Sequence, residues 1–217
     1  MLAHTRRFFT AVFTPLARLL LRAGVPPNVV TAAGTVGTCV AALTLLPTGH
    51  LFWGALVVTL FVVSDTVDGV MARMSGQTSV WGAFLDSTLD RFGDAAVFGG
   101  LLLWFTGGGD DRVLAVVTLW CLVTGLITSY SKARAEALGM TANVGVSQRA
   151  DRLVLSLVGT GLSGLGIPYV LPVALWLLAV GSGVTIAQRL ATVRRQARTL
   201  PAPGAAPTQG GETARVG

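Results

Sequence analysis

The sequence predicts an all-α integral membrane protein: a six-transmembrane-helix bundle preceded by an N-terminal amphipathic helix at the membrane surface. Three observations lead there. The 217-residue chain is 52% hydrophobic and only 12% charged, against about 25% charged in soluble domains, and its mean hydropathy is +0.68. Six apolar runs alternate with short breaks of Pro, Gly and polar residues, at lengths suited to a hydrocarbon core about 30 Å thick. Basic residues are one-sided. With six spans, 14 of the 16 Lys and Arg fall on the side of the two termini, leaving Arg112 opposite and Arg91 within a span. The positive-inside rule makes the terminal side cytoplasmic.

Residues 1–25 form the first element. Phe8, Val12, Leu16, Leu19 and Leu20 recur at helical spacing among Arg6, Arg7, Arg18 and Arg22, a pattern that suits a helix lying on the cytoplasmic face. The arginines interrupt any apolar core of a signal peptide, and no small-residue cleavage site follows. Pro26-Pro27-Asn28 then opens the membrane domain, residues 26–198. Its apolar runs are Val29 to Leu46, Leu51 to about Met74, Val80 to Phe105, Val113 to about Tyr130, Arg149 to Leu165 and Val170 to about Ala187. Residues 139–148 read as a loop. Residues 199–217 are rich in Pro, Gly and Thr and read as a disordered cytoplasmic tail.

The net charge of +6 calls for an anionic partner. Apolar spans make that partner membrane lipid or an anionic substrate. Nucleic acid is excluded as a partner, because aromatic residues are not interleaved with basic ones. Cys39 and Cys121 lie inside apolar runs without CxxC spacing and read as small buried hydrophobes.

Chemistry concentrates between residues 65 and 90. Asp65, Asp68, Asp86 and Asp90 are half of the eight aspartates in the chain, set between two apolar runs. Each carboxylate costs about 2.5–3.5 kcal/mol at a helix centre in the bilayer, so something must compensate them. Residues three or four apart share a helix face. Asp65 and Asp68 therefore form one pair, Asp86 and Asp90 another, and the short connection predicts that their helices are antiparallel neighbours with the pairs facing. With oxygen ligands alone the pairs suit Mg²⁺ or Mn²⁺, with Ca²⁺ as competitor. Four carboxylates can hold two ions, an arrangement suited to displacement at phosphorus. Two blander readings stand beside this one. The aspartates can pair with arginines in a bundle without chemistry, or line an ion pathway in a transporter.

The pattern Asp65-x2-Asp68-Gly69-x2-Ala72-Arg73-x8-Gly82-x3-Asp86-x3-Asp90 resembles the signature of the CDP-alcohol phosphotransferases, matching at all eight fixed positions. Members of that family are membrane homodimers that move a phosphatidyl group from a CDP-lipid to an alcohol and release CMP. The resemblance implies that Asp65, Asp68, Asp86 and Asp90 bind metal, and that Asp90 also acts as general base toward the acceptor hydroxyl. It implies further that Gly69, Arg73 and Ser79, with Asn28 and Thr31 of PPNVVT, bind the CDP end of CDP-diacylglycerol. Asp94 continues the Asp86/Asp90 face outside the signature and reads as a helix-stabilising or second polar layer.

A phosphorylated acceptor needs cations beside the metal site. Ser129, Lys132 and Arg134 end the fourth run, Arg149 and Arg152 begin the fifth, and Arg189 closes the sixth. The segments SYSKARAEALG, QRADRL and IAQRL are similar to the actinobacterial phosphatidylinositol phosphate synthases of the same family. That similarity implies inositol 1-phosphate as acceptor, with these six residues as pocket candidates. Glycerol 3-phosphate is the alternative acceptor. A non-catalytic ion- or lipid-binding membrane protein, or a transporter, is the alternative of another class.

Overall fold

The computed structural model describes residues 13–76 and 79–198, and the side chains of all of these but 64–66. The first part of the expected N-terminal helix and the expected disordered tail lie outside the described residues. Every regular element among them is helical. A helix covers residues 13–22 (α1). It is followed by α2 (Pro27–Leu45), α3 (Leu51–Ser75), α4 (Val80–Thr106), α5 (Arg112–Ala137), α6 (Arg149–Gly164) and α7 (Val170–Ala197).

Local chemistry sets the ends. Pro27 opens α2 at a first-turn position, where a missing N–H costs nothing. Gly76 closes α3 in the left-handed region at φ 65°, a conformation that a Cβ disfavours. Ser79 caps α4, its hydroxyl accepting from the Gly82 amide at 2.9 Å, and Asp111 caps α5 by accepting from Leu114 N–H at 2.9 Å. A capping box of Gln148 and Asp151 starts α6.

The long helices form a closed ring. α2 packs on α3 and α4, α4 on α5, α5 on α7, α7 on α6, and α6 back on α3. The predicted adjacency of α3 and α4 is corrected here. The two helices do not pack along their lengths. Each packs on α2, so Asp68 of α3 and Asp86 of α4 line one cleft that α2 walls. A two-residue break fixed the chain order but not which helix fills the space between.

The core of the ring is built from Ala42, Leu46, Val58, Val97, Leu101, Leu175 and their neighbours. Ala17 of α1 is buried against Val67, Val70 and Met71 of α3, so α1 leans on the half of α3 that carries the aspartates. Gly100 permits a close crossing, since a Cβ there would collide with the Ala42 carbonyl oxygen. Gly100→Leu is expected to destabilise the bundle by about 1–3 kcal/mol or more, read as a lower Tm in detergent.

Large apolar side chains cover the outside, among them Val36, Leu60, Val116, Trp120, Leu177 and Val180, each more than half exposed. That is the surface of a protein solvated by lipid. Among the described residues four helices, α2, α3, α5 and α7, are long and apolar enough to cross a membrane. α4 carries Asp86, Asp90 and Arg91 in its first half and Asp94 just past its midpoint, and α6 has 16 residues, roughly 24 Å of helix at 1.5 Å per residue.

Candidate active site

α4 is the wall between two cavities. On one side, a cavity of about 270 Å³ is lined by Pro27, Asn28 and Thr31 of α2, by Asp68, Gly69 and Ala72 of α3, and by Ser79, Gly82, Ala83 and Asp86 at the start of α4. Asp68 is 7% exposed. Its carboxylate accepts the Thr31 hydroxyl hydrogen bond, and the same hydroxyl lies 3.2 Å from the Pro27 carbonyl oxygen. Asn28 reaches across to α4, where a Cβ on Gly82 would stand 3.4 Å from its Oδ1. The Arg73 guanidinium folds back over Gly69, 3.5 Å from where a Cβ would be. Asp65 sits one turn before Asp68 on α3, and its side chain is outside the described residues. This cavity therefore brings together Asn28, Thr31, Asp68, Gly69, Ser79 and Asp86, with Arg73 at its edge. Ser79 also serves as the α4 cap.

On the other side, a cavity of about 410 Å³ is lined by Ser87 and Arg91 of α4, by Thr128, Ser129, Lys132, Ala133 and Glu136 of α5, by Gln148, Arg149 and Arg152, and by Arg189 of α7. Five of the six expected acceptor residues line it. Arg134 is exposed on α5 and is not among them. Ser87, Arg91, Glu136 and Gln148 were not anticipated. A sequence signal existed for two of them. Glu136 follows Lys132 by one helical turn and pairs with it at 3.8 Å, and Arg91 follows Ser87 by one turn on the face next to Asp86 and Asp90.

Ion pairs knit this cavity to the aspartates. Arg149 Nη2 is 2.8 Å from Asp90 Oδ1, and Arg149 Nε is 3.1 Å from Asp94 Oδ1. Arg152 Nη2 lies 3.9 Å from Asp94 Oδ2, and Arg91 Nη2 lies 3.5 Å from Asp90 Oδ2. Asp94 is 6% exposed. It is thus an inter-helix anchor for two arginines, a more specific role than helix stabilisation. Arg152 has a side chain only 2% exposed, and both terminal nitrogens lack a hydrogen-bond partner among the described residues. Gly125 makes room for it, since a Cβ there would stand 3.3 Å from Arg152 Nε. Arg189 donates from Nε to the Val144 carbonyl at 3.0 Å and from Nη1 to the Thr128 carbonyl. A buried guanidinium with unused donors costs energy, and an anion in the cavity relieves that cost.

Asp90 lines neither cavity, and the small pocket it does line shares Arg149 with the cationic one. It lines a small pocket of about 20 Å³ together with Thr35, Thr38, Gly93 and Arg149. Asp86 faces the first cavity from one turn before it. The arrangement offers hard oxygen donors at one side, a carboxylate at the junction and cations at the other side.

The chain matches the family model described as CDP-alcohol phosphatidyltransferase over residues 25–147. It belongs to that family, a family of multi-pass membrane proteins. Among curated proteins it is similar to the phosphatidylinositol phosphate synthase of Streptomyces avermitilis, with 53% identity over 94% of this chain and 86% of that protein. The enzyme of the same description from Mycolicibacterium smegmatis is 49% identical over 88% of this chain and 87% of that protein. Among solved structures, Mycobacterium tuberculosis phosphatidylinositol phosphate synthase with CDP-DAG bound is 49% identical, with a TM-score of 0.82 over 84% of this chain and 94% of that one. The same enzyme with manganese and citrate gives a TM-score of 0.81 over 84% of this chain and 88% of that one.

Proposed function

We propose that the chain transfers the phosphatidyl group of CDP-diacylglycerol to inositol 1-phosphate, giving phosphatidylinositol phosphate and CMP. The observation that carries this reading is the pair of cavities on opposite sides of α4. One is built of the signature residues, and the other is lined by Lys132, Arg149, Arg152 and Arg189. The similarity of about 50% to phosphatidylinositol phosphate synthases over most of the chain supports it.

In this reading the cytidine and pyrophosphate occupy the first cavity, against Asn28, Thr31, Gly69, Arg73 and Ser79. The donor set of Asp65, Asp68, Asp86 and Asp90 fits divalent cations. It is all oxygen, and Asp68 is buried at a cavity wall with a hydroxyl already orienting it. Mg²⁺ or Mn²⁺, as two ions, would neutralise charge on the pyrophosphate. The acceptor phosphate sits among Ser129, Lys132, Arg149, Arg152 and Arg189, which points its hydroxyl face toward Asp90. Arg134, exposed outside the cavity lining, fits membrane-surface anchoring better. Asp90 accepts the hydroxyl proton as the oxygen attacks the β-phosphorus, and the bond to CMP breaks. Residues 26–198 act as one catalytic domain of six spans, α2 to α7, in a homodimer of the cell membrane. Charge asymmetry supports a cytoplasmic site and termini. Residues 13–22, the described helix α1, serve at the membrane interface.

Purified protein given CDP-diacylglycerol, Mg²⁺ and one acceptor at a time tests the reading. Inositol 1-phosphate should release CMP far faster than glycerol 3-phosphate or free inositol. Preference for glycerol 3-phosphate would replace the acceptor and keep the chemistry. Lys132→Ala should raise KM for the acceptor by about tenfold while leaving KM for CDP-diacylglycerol within about twofold, because a contact formed before chemistry is uniform binding. Initial-rate kinetics in both substrates check this.

A further inference from the structure

Among the described residues Arg149 is the one side chain that borders both the small pocket at Asp90 and the large cationic cavity. Its guanidinium is divided between two carboxylates on successive turns of α4. Nη2 holds Asp90 at 2.8 Å and Nε holds Asp94 at 3.1 Å. The second oxygen of each carboxylate meets another arginine, Arg152 at 3.9 Å on Asp94 and Arg91 at 3.5 Å on Asp90. The Asp94 side chain is the more buried, 8% exposed against 16% for Asp90. The Arg149 side chain is 29% exposed and sits in the first turn of α6, which the Gln148–Asp151 capping box holds in place. The end of Arg149 on Asp90 therefore holds the more accessible of the two carboxylates.

Resting on the function proposed above, we propose that Arg149 is a specificity-determining residue that makes use of Asp90 conditional on an anionic acceptor. In the structure Arg149 occupies a carboxylate oxygen of Asp90 that an incoming hydroxyl needs. A phosphate entering beside Lys132, Arg152 and Arg189 offers the guanidinium two or more charged acceptors in planar, bidentate geometry. Nη2 then turns from Asp90 to the phosphate while Nε stays on Asp94. A hydroxyl compound without phosphate brings no such partner and meets a covered carboxylate. Water is the most abundant compound of that kind at a membrane surface. Its attack would form a new O–P bond at the β-phosphorus, pass its proton to Asp90 and expel CMP with the electron pair of the broken P–O bond. CDP-diacylglycerol would be lost as phosphatidic acid. The latch suppresses that hydrolysis.

Inorganic phosphate is the probe, since it fills the cationic cavity and carries no acceptor hydroxyl on a carbon. CMP and phosphatidic acid are measured from CDP-diacylglycerol and Mg²⁺ without organic acceptor. In the unaltered protein, phosphate should raise hydrolysis by about tenfold; Arg149→Gln should already hydrolyse about tenfold faster and ignore phosphate. Arg149→Lys keeps the charge but cannot span both carboxylates with one ammonium, so it should also hydrolyse faster while still transferring to inositol 1-phosphate. No stimulation of the unaltered protein by phosphate overturns the latch, and that arm needs no variant to fold. Arg149→Gln that binds CDP-diacylglycerol normally yet hydrolyses no faster than the unaltered protein also overturns it. An unaltered protein that makes no lipid product from inositol 1-phosphate refutes the functional reading instead.

Discussion

Asp90→Asn is expected to lower CMP release by about 10²–10⁴-fold, the contribution of a positioned general base. The substitution keeps size and one acceptor oxygen, turns the other into an amide donor, and removes the proton acceptor. Position argues for so large an effect. Asp90 lines the junction pocket, one turn beyond Asp86 and one turn before Asp94, and two arginines converge on its two oxygens at 2.8 and 3.5 Å. The fold should survive, because the Asn amide oxygen can still accept from Arg149 and the Arg91 side chain, 28% exposed, can turn to water. Binding of CDP-diacylglycerol should fall less than turnover, since Asp68 and Asp86 still line the nucleotide cavity. Single-turnover CMP release, with lipid binding measured alongside, separates the two. Turnover near the unaltered rate would remove Asp90 from proton transfer.

Arg152→Met carries the second large effect. Methionine approximates the volume of the arginine stem and lacks every donor. Arg152 lines the cationic cavity, neither terminal nitrogen has a hydrogen-bond partner among the described residues, and its Nη2 makes the second, 3.9 Å arginine contact on Asp94. KM for inositol 1-phosphate should rise by about 10–100-fold, as a lost charge-assisted hydrogen bond of about 1.5–3 kcal/mol requires. KM for CDP-diacylglycerol should stay within about twofold. The Tm should fall as well, because removing one partner of a buried pair is costly. A lower Tm with an unchanged acceptor KM would make Arg152 a structural arginine only.

These effects were unequally legible in the sequence. The aspartates announced themselves because a carboxylate in apolar sequence is costly, and because their spacing of three and four selects a helix face. Both facts are local. The caps and breaks were local too. Ser79, Gly76 and the Pro26-Pro27 pair ended helices where their backbone chemistry says they should. The cationic side was readable only as a set of residues at one depth, and depth alone does not say which face each side chain takes. Arg134 and Lys132 are two residues apart on α5, and that rotation puts Lys132 in the cavity lining and Arg134 outside it. Asp94 was legible as a third turn of the aspartate face. Its partners were not, because Arg149 and Arg152 lie 55 and 58 positions away in the numbering of the chain. The placement of α2 between α3 and α4 was likewise invisible. It depends on the approach that Gly100 allows at Ala42, a property of two surfaces rather than of either helix.

The fold and the proposed chemistry meet in one arrangement: a donor cavity and an acceptor cavity on either side of α4, with Asp90 in a small pocket that shares Arg149 with the second. In the proposed reading the cationic cavity makes the enzyme specific, since its cations would hold a phosphate that stays on the acceptor through the reaction. The direct measurement is mass analysis of the lipid formed from CDP-diacylglycerol and inositol 1-phosphate with Mg²⁺, with CMP quantified in the same reaction. The account predicts a lipid that carries both phosphates, the transferred one and the acceptor's own, in one-to-one ratio with CMP. CMP formed without a two-phosphate lipid, or equal turnover with free inositol, would contradict it.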